Sequence, residues 1–309
     1  MSQWWLFTTK MNETEESSIM ANIAIATDSN SGITPSRAKK LGVHVLPMSF
    51  YINDQQYYEG VDLSQKEFYQ LIADSKTTVS TSQPSPEELS EFWRKLLREY
   101  DEVVYVPMSS GLSSSCTTAS VLAKDFGGRV YVVDNQRISV TQYQSVVDAV
   151  SMAKGGMSAR RIKKHLEEDK LESSIYIMVN NLSFLKRGGR ITSAGALIAN
   201  VMNLKPVLQI QGEKLDAYAK CRGIKAAKAK MLDAMHEDFE TRFKTYVENG
   251  EMSLMYSYSD MPEDEVDRWR KDIEASFPRF KLRAEPLSLS IGCHIGPGSL
   301  AIACAKISK

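Results

Sequence analysis

Strand-like and helix-like patterns alternate along the first half of the chain. The run NIAIATDS is short and β-rich, and TPSRAKKLG after it carries helix signals: Thr34 as N-cap, Pro35 at the first helical position and Gly42 past the end. VHVLPMSFYI predicts the next strand. Two capping boxes follow, Ser64 with Glu67 and Ser85 with Glu88, the second with Pro86 in its first turn. Beyond it Leu89, Phe92, Trp93, Leu96 and Leu97 recur at helical spacing, which predicts a buried stripe. EVVYVP reads as a strand, a helix then runs to Phe126, RVYVVD reads as another strand, and a helix from about Ser139 closes at Gly155-Gly156. Such repeated units predict a mostly parallel sheet, which places ligands at the carboxyl ends of its strands. Asp28-Ser29, the serine-rich SSGLSSS and Asp134-Asn135 all stand at such ends.

The second half changes style. SSIYIMV is a strand, NNLSFLKRGGRITSAGALIANV a loop entering a helix, and PVLQIQGEKLDAYAK a hairpin about Gly212-Glu213. A charged helix covers roughly Ile224 to Val247. Strand MSLMYSYS, helix PEDEVDRWRKDIEAS and strand SLAIACAKI complete an α+β pattern. The expected class is α/β, with a parallel-sheet N-terminal domain over residues 20–156 and a second, α+β domain over residues 157–309, divided near Gly156. Residues 1–19 differ from both. The apolar knot Trp4 to Phe7 is far too short for a signal h-region and an acidic, polar stretch follows it, so this segment is read as a disordered extension or a start assigned too early, with Met20 the working start.

Composition narrows the function classes. Thirty-eight basic residues balance 38 acidic ones, so no charge excess draws the chain to nucleic acid or to an anionic membrane surface. No segment approaches the length of a bilayer span, which excludes stable membrane insertion. The cysteines, Cys116, Cys221, Cys293 and Cys304, show neither CxxC pairing nor metal-ligand spacing and read as reduced thiols of a cytoplasmic protein. GxxxxGK[ST], HExxH and GxSxG are all absent, and the glycine spacing of GCHIGPG and KRGGR is wrong for a dinucleotide fingerprint.

What remains is a set of hydroxyls, glycines and a few cations. Five serines crowd the seven residues Ser109 to Ser115. They could cradle phosphate at a helix N-terminus, supply Ser113 (or the adjacent Cys116) as a nucleophile with His294 as base, or simply cap the helix. One serine explains a cap; five leave a remainder. In STSQPS, Ser85 is needed as a cap, which leaves Ser80, Thr81 and Ser82 unexplained. Two hydroxyl clusters, each before a helix, point to a shared anion site. LKRGGRI sets Lys186, Arg187 and Arg190 around two glycines, either an anion grip or an exposed basic turn. GCHIGPG places His294 among glycines and predicts a rigid loop. Lys220, Arg222, Lys225, Lys228 and Lys230 crowd the start of the charged helix, where cations oppose the macrodipole, so helix stability does not explain them.

Seven stretches, IATDSNSGI, YYEGVDLSQKEFY, TSQPSPEEL, SSGLSSS, LKRGGRI, KPVLQI and HIGPG, occur in the order seen in DegV-family proteins. The chain from Met20 onward resembles the fatty-acid-binding subunits of bacterial fatty acid kinase. That resemblance implies a two-domain α/β protein that encloses one long-chain fatty acid, without metal, cofactor or catalysis of its own. A separate ATP-binding kinase subunit would phosphorylate the carboxylate to an acyl phosphate. It also implies that Thr81, with Ser82 beside it, and Ser113 bond the carboxylate, that His294 and Arg190 stand near the head group, and that Arg222 faces the kinase. Two departures bear on loop shape and acyl preference: family members usually read SGT at Ser113-Ser114-Ser115, and an aromatic often stands at Cys116. The competing expectation is an acyl or phosphoryl transferase using Ser113 or Cys116 with His294.

Overall fold

The computed structural model describes residues 21–74, 76–180, 182–189, 204–212 and 215–308. The expected extension over residues 1–19, Arg190 and most of the helix expected after KRGGR lie outside the described residues, as does Glu213 of the expected hairpin turn.

The first half runs β1 (Ile23–Asp28), α1 (Pro35–Leu41), β2 (Val43–Leu46), β3 (Ser49–Ile52), β4 (Gln55–Tyr58), α2 (Gln65–Leu71) and β5 (Val79–Thr81). It continues through α3 (Pro86–Leu96), β6 (Glu102–Val106), α4 (Ser115–Leu122), β7 (Val130–Val132), α5 (Ser139–Lys154) and α6 (Ala159–Glu168). Strands β2, β1, β6 and β7 form a parallel four-stranded sheet in that order. Side chains of a strand alternate between faces. Ile25, Val104 and Val106 therefore pack with Val146, Ile162 and Leu166 of α5 and α6. Ala24, Ala26, Val103 and Tyr105 meet Trp93 of α3 and Ala119 of α4 on the other face. All three helix starts read from local chemistry are present: the Thr34 cap with Pro35, and both capping boxes.

Three elements depart from the sequence pattern. VHVLPMSFYI is two strands, because Pro47 lacks the N–H that a continuous ladder needs. Strand β2 joins the parallel sheet, while β3 pairs antiparallel with β4 and β5 in a separate three-stranded sheet. The β3–β4 turn is Asn53-Asp54, both at positive φ, a two-residue hairpin built without glycine. Helix α6 lies beyond the boundary expected at Gly156, yet it packs on β6 and β7 and extends the parallel-sheet layer.

The second half runs β8 (Ser173–Met178), α7 (Leu182–Gly188), β9 (Leu204–Ile210), β10 (Leu215–Arg222), α8 (Ile224–Glu240) and α9 (Lys244–Glu248). It ends with β11 (Met252–Tyr258), α10 (Glu263–Ser276), β12 (Arg283–Pro286), α11 (Leu289–Ile295) and β13 (Leu300–Lys306). The charged helix expected to reach Val247 thus ends at Glu240, and a short helix follows. Six strands pair in the order β10-β9-β8-β13-β11-β12, antiparallel except for β11 with β12. One face buries Met231, Met235, Trp269 and Ile273 of α8 and α10. The other face presents Ile175, Ile177, Leu208 and Ala301 to Ile138 and Val140 at the start of α5, and to Leu185 and Ile295. This second face lines the site.

Candidate functional site

A cavity lies between that sheet face and the loops at the carboxyl ends of the parallel strands. Its apolar lining includes Ile175, Ile177, Ile210 and Leu215 of the sheet, Leu185 of α7 and Met108 and Leu112 of the serine loop. Thr81, Ser82, Ser113 and His294 all line the same cavity. Both hydroxyl clusters therefore contribute to one cavity.

Thr81 ends β5, and its hydroxyl lies 2.9 Å from Nε2 of His294. His294 sits in the last turn of helix α11, not in the loop expected from its glycines. Ser288 caps that helix, its hydroxyl accepting from the Ile291 N–H. The glycines serve close packing instead. A Cβ on Gly188 would collide with the His294 ring, and one on Gly296, which has φ of +73°, would stand 2.5 Å from the Phe184 ring. LKRGG and HIGPG are thus two sides of one contact between α7 and α11. Lys186 and Arg187, expected in a basic turn, instead lie in the last turn of α7 and are exposed, with the Arg187 guanidinium 4.8 Å over Phe184.

The five serines have separate fates. Ser109 is buried, and its hydroxyl accepts from the Gly111 N–H. Ser110 donates its N–H toward the Asp134 carboxylate at 3.4 Å. The Ser113 hydroxyl accepts from the Ser115 N–H at 3.1 Å while lining the cavity. Ser114 occupies the N-cap of α4 but makes no side-chain cap bond; Ser113 instead takes the first N–H of that helix. Asp28 holds the loop in place by accepting from the Met108 N–H at 2.9 Å, and burial raises its carboxyl above the usual range. Ser82 pairs with Ser49 at 2.9 Å.

Cys116 is not available as a nucleophile. It points into the core beside Trp93 and Ala119, is 1% exposed, and burial pushes its thiol up to about 12. A thiolate is the reactive form, so this group is inert near neutral pH.

Similarity to known proteins covers nearly the whole chain. The family profile described as "Uncharacterised protein, DegV family" covers residues 22–306. The chain belongs to the DegV family. A DegV domain-containing protein of Deinococcus radiodurans is 31% identical over 288 residues, spanning 93% of this chain and 99% of the relative. A DegV-family protein of Thermus thermophilus, solved in a study of its fatty acid binding, superposes with a TM-score of 0.82 at 30% identity, over 92% of this chain and 99% of its own. DegV of Bacillus subtilis, described as a fatty acid binding protein, gives a TM-score of 0.80 at 27% identity, over 93% and 99%. The family expected from the seven motifs is borne out, and so is the α/β class.

The cavity of this DegV protein holds further polar groups. Asn30 and Ser290 line the cavity and bond to each other, Ser290 donating to Asn30 Oδ1 at 2.7 Å. Arg222 is exposed at the end of the edge strand β10, with Lys225 and Lys230 exposed nearby. Lys228 leaves the expected basic patch: it is 8% exposed, 2.6 Å from Glu265, and lies over the Trp269 ring. Among the described residues no helix is long and apolar enough to cross a membrane, and no group of three His, Cys, Asp or Glu could hold a metal ion.

Proposed function

We propose that this protein is a cytoplasmic, non-catalytic carrier of one long-chain fatty acid, and that it presents the carboxylate to a separate kinase subunit for conversion to an acyl phosphate. The observation that carries this reading is the cavity's division: an isoleucine- and leucine-lined body with Thr81, Ser82, Ser113 and His294 among its polar lining. The fatty acid binding described for the Thermus and Bacillus relatives supports it. Burying a sixteen-carbon tail is worth on the order of 12 kcal/mol gross at about 0.8 kcal/mol per CH₂. A hydrogen bond to a charged group adds roughly 1.5–3 kcal/mol. The tail therefore holds the ligand and the hydroxyls orient it. Being neutral, they leave the carboxylate free to attack a phosphoryl donor.

Mass spectrometry of lipid released on denaturation is expected to find free fatty acid; a covalent acyl adduct on Ser113 would favour a transferase. Thr81→Ala and Ser113→Ala should each weaken binding roughly tenfold, the lower end of that bond strength. The double variant should show coupling rather than simple addition. Binding unchanged by both substitutions removes the head-group assignment.

The kinase step rests on the family resemblance together with the exposure of Arg222. The isolated protein should not turn over ATP, and acyl phosphate should form only when a kinase subunit is added. Arg222→Glu should raise the apparent KM of that kinase for the loaded protein while its lipid content stays unchanged. Salt should weaken the wild-type reaction, as charge steering requires. Loss of lipid in Arg222→Glu, or unaltered kinetics, rules out a docking role.

A further inference from the structure

The carboxyl of Glu59, just after β4, reaches the wall of the ligand cavity. It accepts from the N–H of Leu289 at the start of α11, from the Ser29 hydroxyl at 2.9 Å and from the Ser290 hydroxyl at 3.1 Å. Ser290 lines the cavity, and His294 lies four residues further along the same helix. Residues at that spacing share one helix face, about 6 Å apart. On its other side Glu59 lines an outer cleft together with Ser64 and Gln65, so protons from solvent can reach it.

The hydroxyls around it are built for two protonation states. Ser290 carries one hydroxyl proton and faces two acceptors, Glu59 Oε2 at 3.1 Å and Asn30 Oδ1 at 2.7 Å. With Glu59 ionised, Ser290 can donate to either acceptor, since Glu59 Oε2 also accepts from Ser29 and the Ser288 hydroxyl lies 3.4 Å from Asn30 Oδ1. With Glu59 protonated, its O–H donates to Ser290, whose own proton goes to Asn30, and both acceptors are served. No heavy atom need move.

We propose that Glu59 is the proton-linked group of the ligand site: it takes up a proton from solvent when an anionic head group enters the cavity, so that anionic ligands bind more tightly at lower pH. The inference rests on the cavity taking an anionic amphiphile, as proposed above. Like charges about 10 Å apart, at an effective dielectric of about 20, shift a binding constant roughly three- to tenfold once partial exposure is allowed for.

The ligand-free group is already poised for this. Burial raises the Glu59 carboxyl from 4.5 to about 7. A bound carboxylate raises it further. Affinity is then full below about pH 7, where Glu59 is protonated with or without ligand, and falls as pH rises through the higher, ligand-bound value. The titratable groups around it are Tyr69 of α2, Cys293 and His294 of α11, Asp28, which is bonded to the Asn30 backbone, and His44 and Lys95 across the outer cleft. Burial keeps Tyr69 and Cys293 protonated, the thiol being pushed up to about 12. His294 is the group from which Glu59 must be separated.

Calorimetry with palmitate in two buffers of different ionisation enthalpy, near pH 7.5, makes that separation. Wild type should take up about a quarter to a half of a proton per ligand, and Glu59→Gln none. Hexadecanol, which is neutral, should bind both proteins without proton exchange. Equal uptake by Glu59→Gln assigns the proton to His294 and overturns the inference; so does palmitate binding to wild type without uptake. Failure of wild type to bind either lipid overturns the carrier reading as well, which keeps the two failures distinguishable. A check on the unmodified, ligand-free protein is the Leu289 amide resonance, which should titrate near pH 7. A midpoint in the ordinary carboxylate range also overturns the inference.

Discussion

The two carboxylates beside the cavity are held by different donors. Asp28, at the end of the parallel strand β1, accepts from N–H groups: Met108 at 2.9 Å, Asn30 at 3.0 Å and the Gln142 side chain at 3.1 Å. Glu59 accepts from the Leu289 and Ser290 backbone N–H groups and from two hydroxyls. Burial raises both carboxyls. An N–H has a fixed direction, so the Asp28 wall is set when the chain folds. A hydroxyl rotates between donating and accepting, so the Glu59 wall, with the helix that bears His294, can answer to a proton or a ligand. One wall is scaffold and the other is responsive.

The sharpest way to break that contrast is to remove Asp28. Asp28→Ala leaves the Met108 and Asn30 N–H groups without an acceptor at a site that is 0% exposed, while Gln142 keeps Thr27 and the Val106 carbonyl. At about 1–3 kcal/mol for each unpaired buried donor, the expected loss of stability is about 2–6 kcal/mol. Thermal or urea unfolding measures it. Asp28→Asn keeps an acceptor oxygen and should lose less. If Asp28→Ala melts like the wild type, the wall is held by something else and the comparison fails.

What could be read from sequence follows the range of each interaction. Caps are local, so Thr34 and both capping boxes were visible in strings of a few residues. The alternation of strands with helices likewise revealed the parallel layer. Helix α11 was hidden because Gly292 and Gly296 look like loop residues. Gly292 is there because a Cβ would stand 2.8 Å from Tyr69 Oη, a demand made by another helix. The Asn53-Asp54 turn lacks the glycine that usually marks a two-residue hairpin. The site was legible only as parts. Thr81 and His294 were each singled out by composition, but they bond across 213 positions. Glu59 and Ser290 are 231 apart, and no local pattern marks serine as a partner for a distant carboxylate.

A smaller effect on stability is expected at Gly188, and it sharpens the other half of the comparison. This glycine ends α7 against the His294 imidazole, where an added methyl would collide with the ring. Alanine gains about 0.5–1 kcal/mol of helix preference over glycine. Overpacking costs about 1–3 kcal/mol, so the net loss is about 0–2.5 kcal/mol and the melting temperature should fall by a few degrees at most. The ring is what yields, because α11 is the responsive wall. Displacing it breaks the 2.9 Å bond to Thr81. Fatty acid affinity should therefore fall roughly tenfold, matching Thr81→Ala, since each change loses one bond's worth of head-group order. Combining Gly188→Ala with Thr81→Ala should add little, because both act on the same pair. Titration of the two single variants and the double variant with fatty acid reads this directly. Full additivity would mean that Gly188 acts on the ligand by a route other than His294. A large drop in melting temperature would mean that this wall is as rigid as the one Asp28 holds.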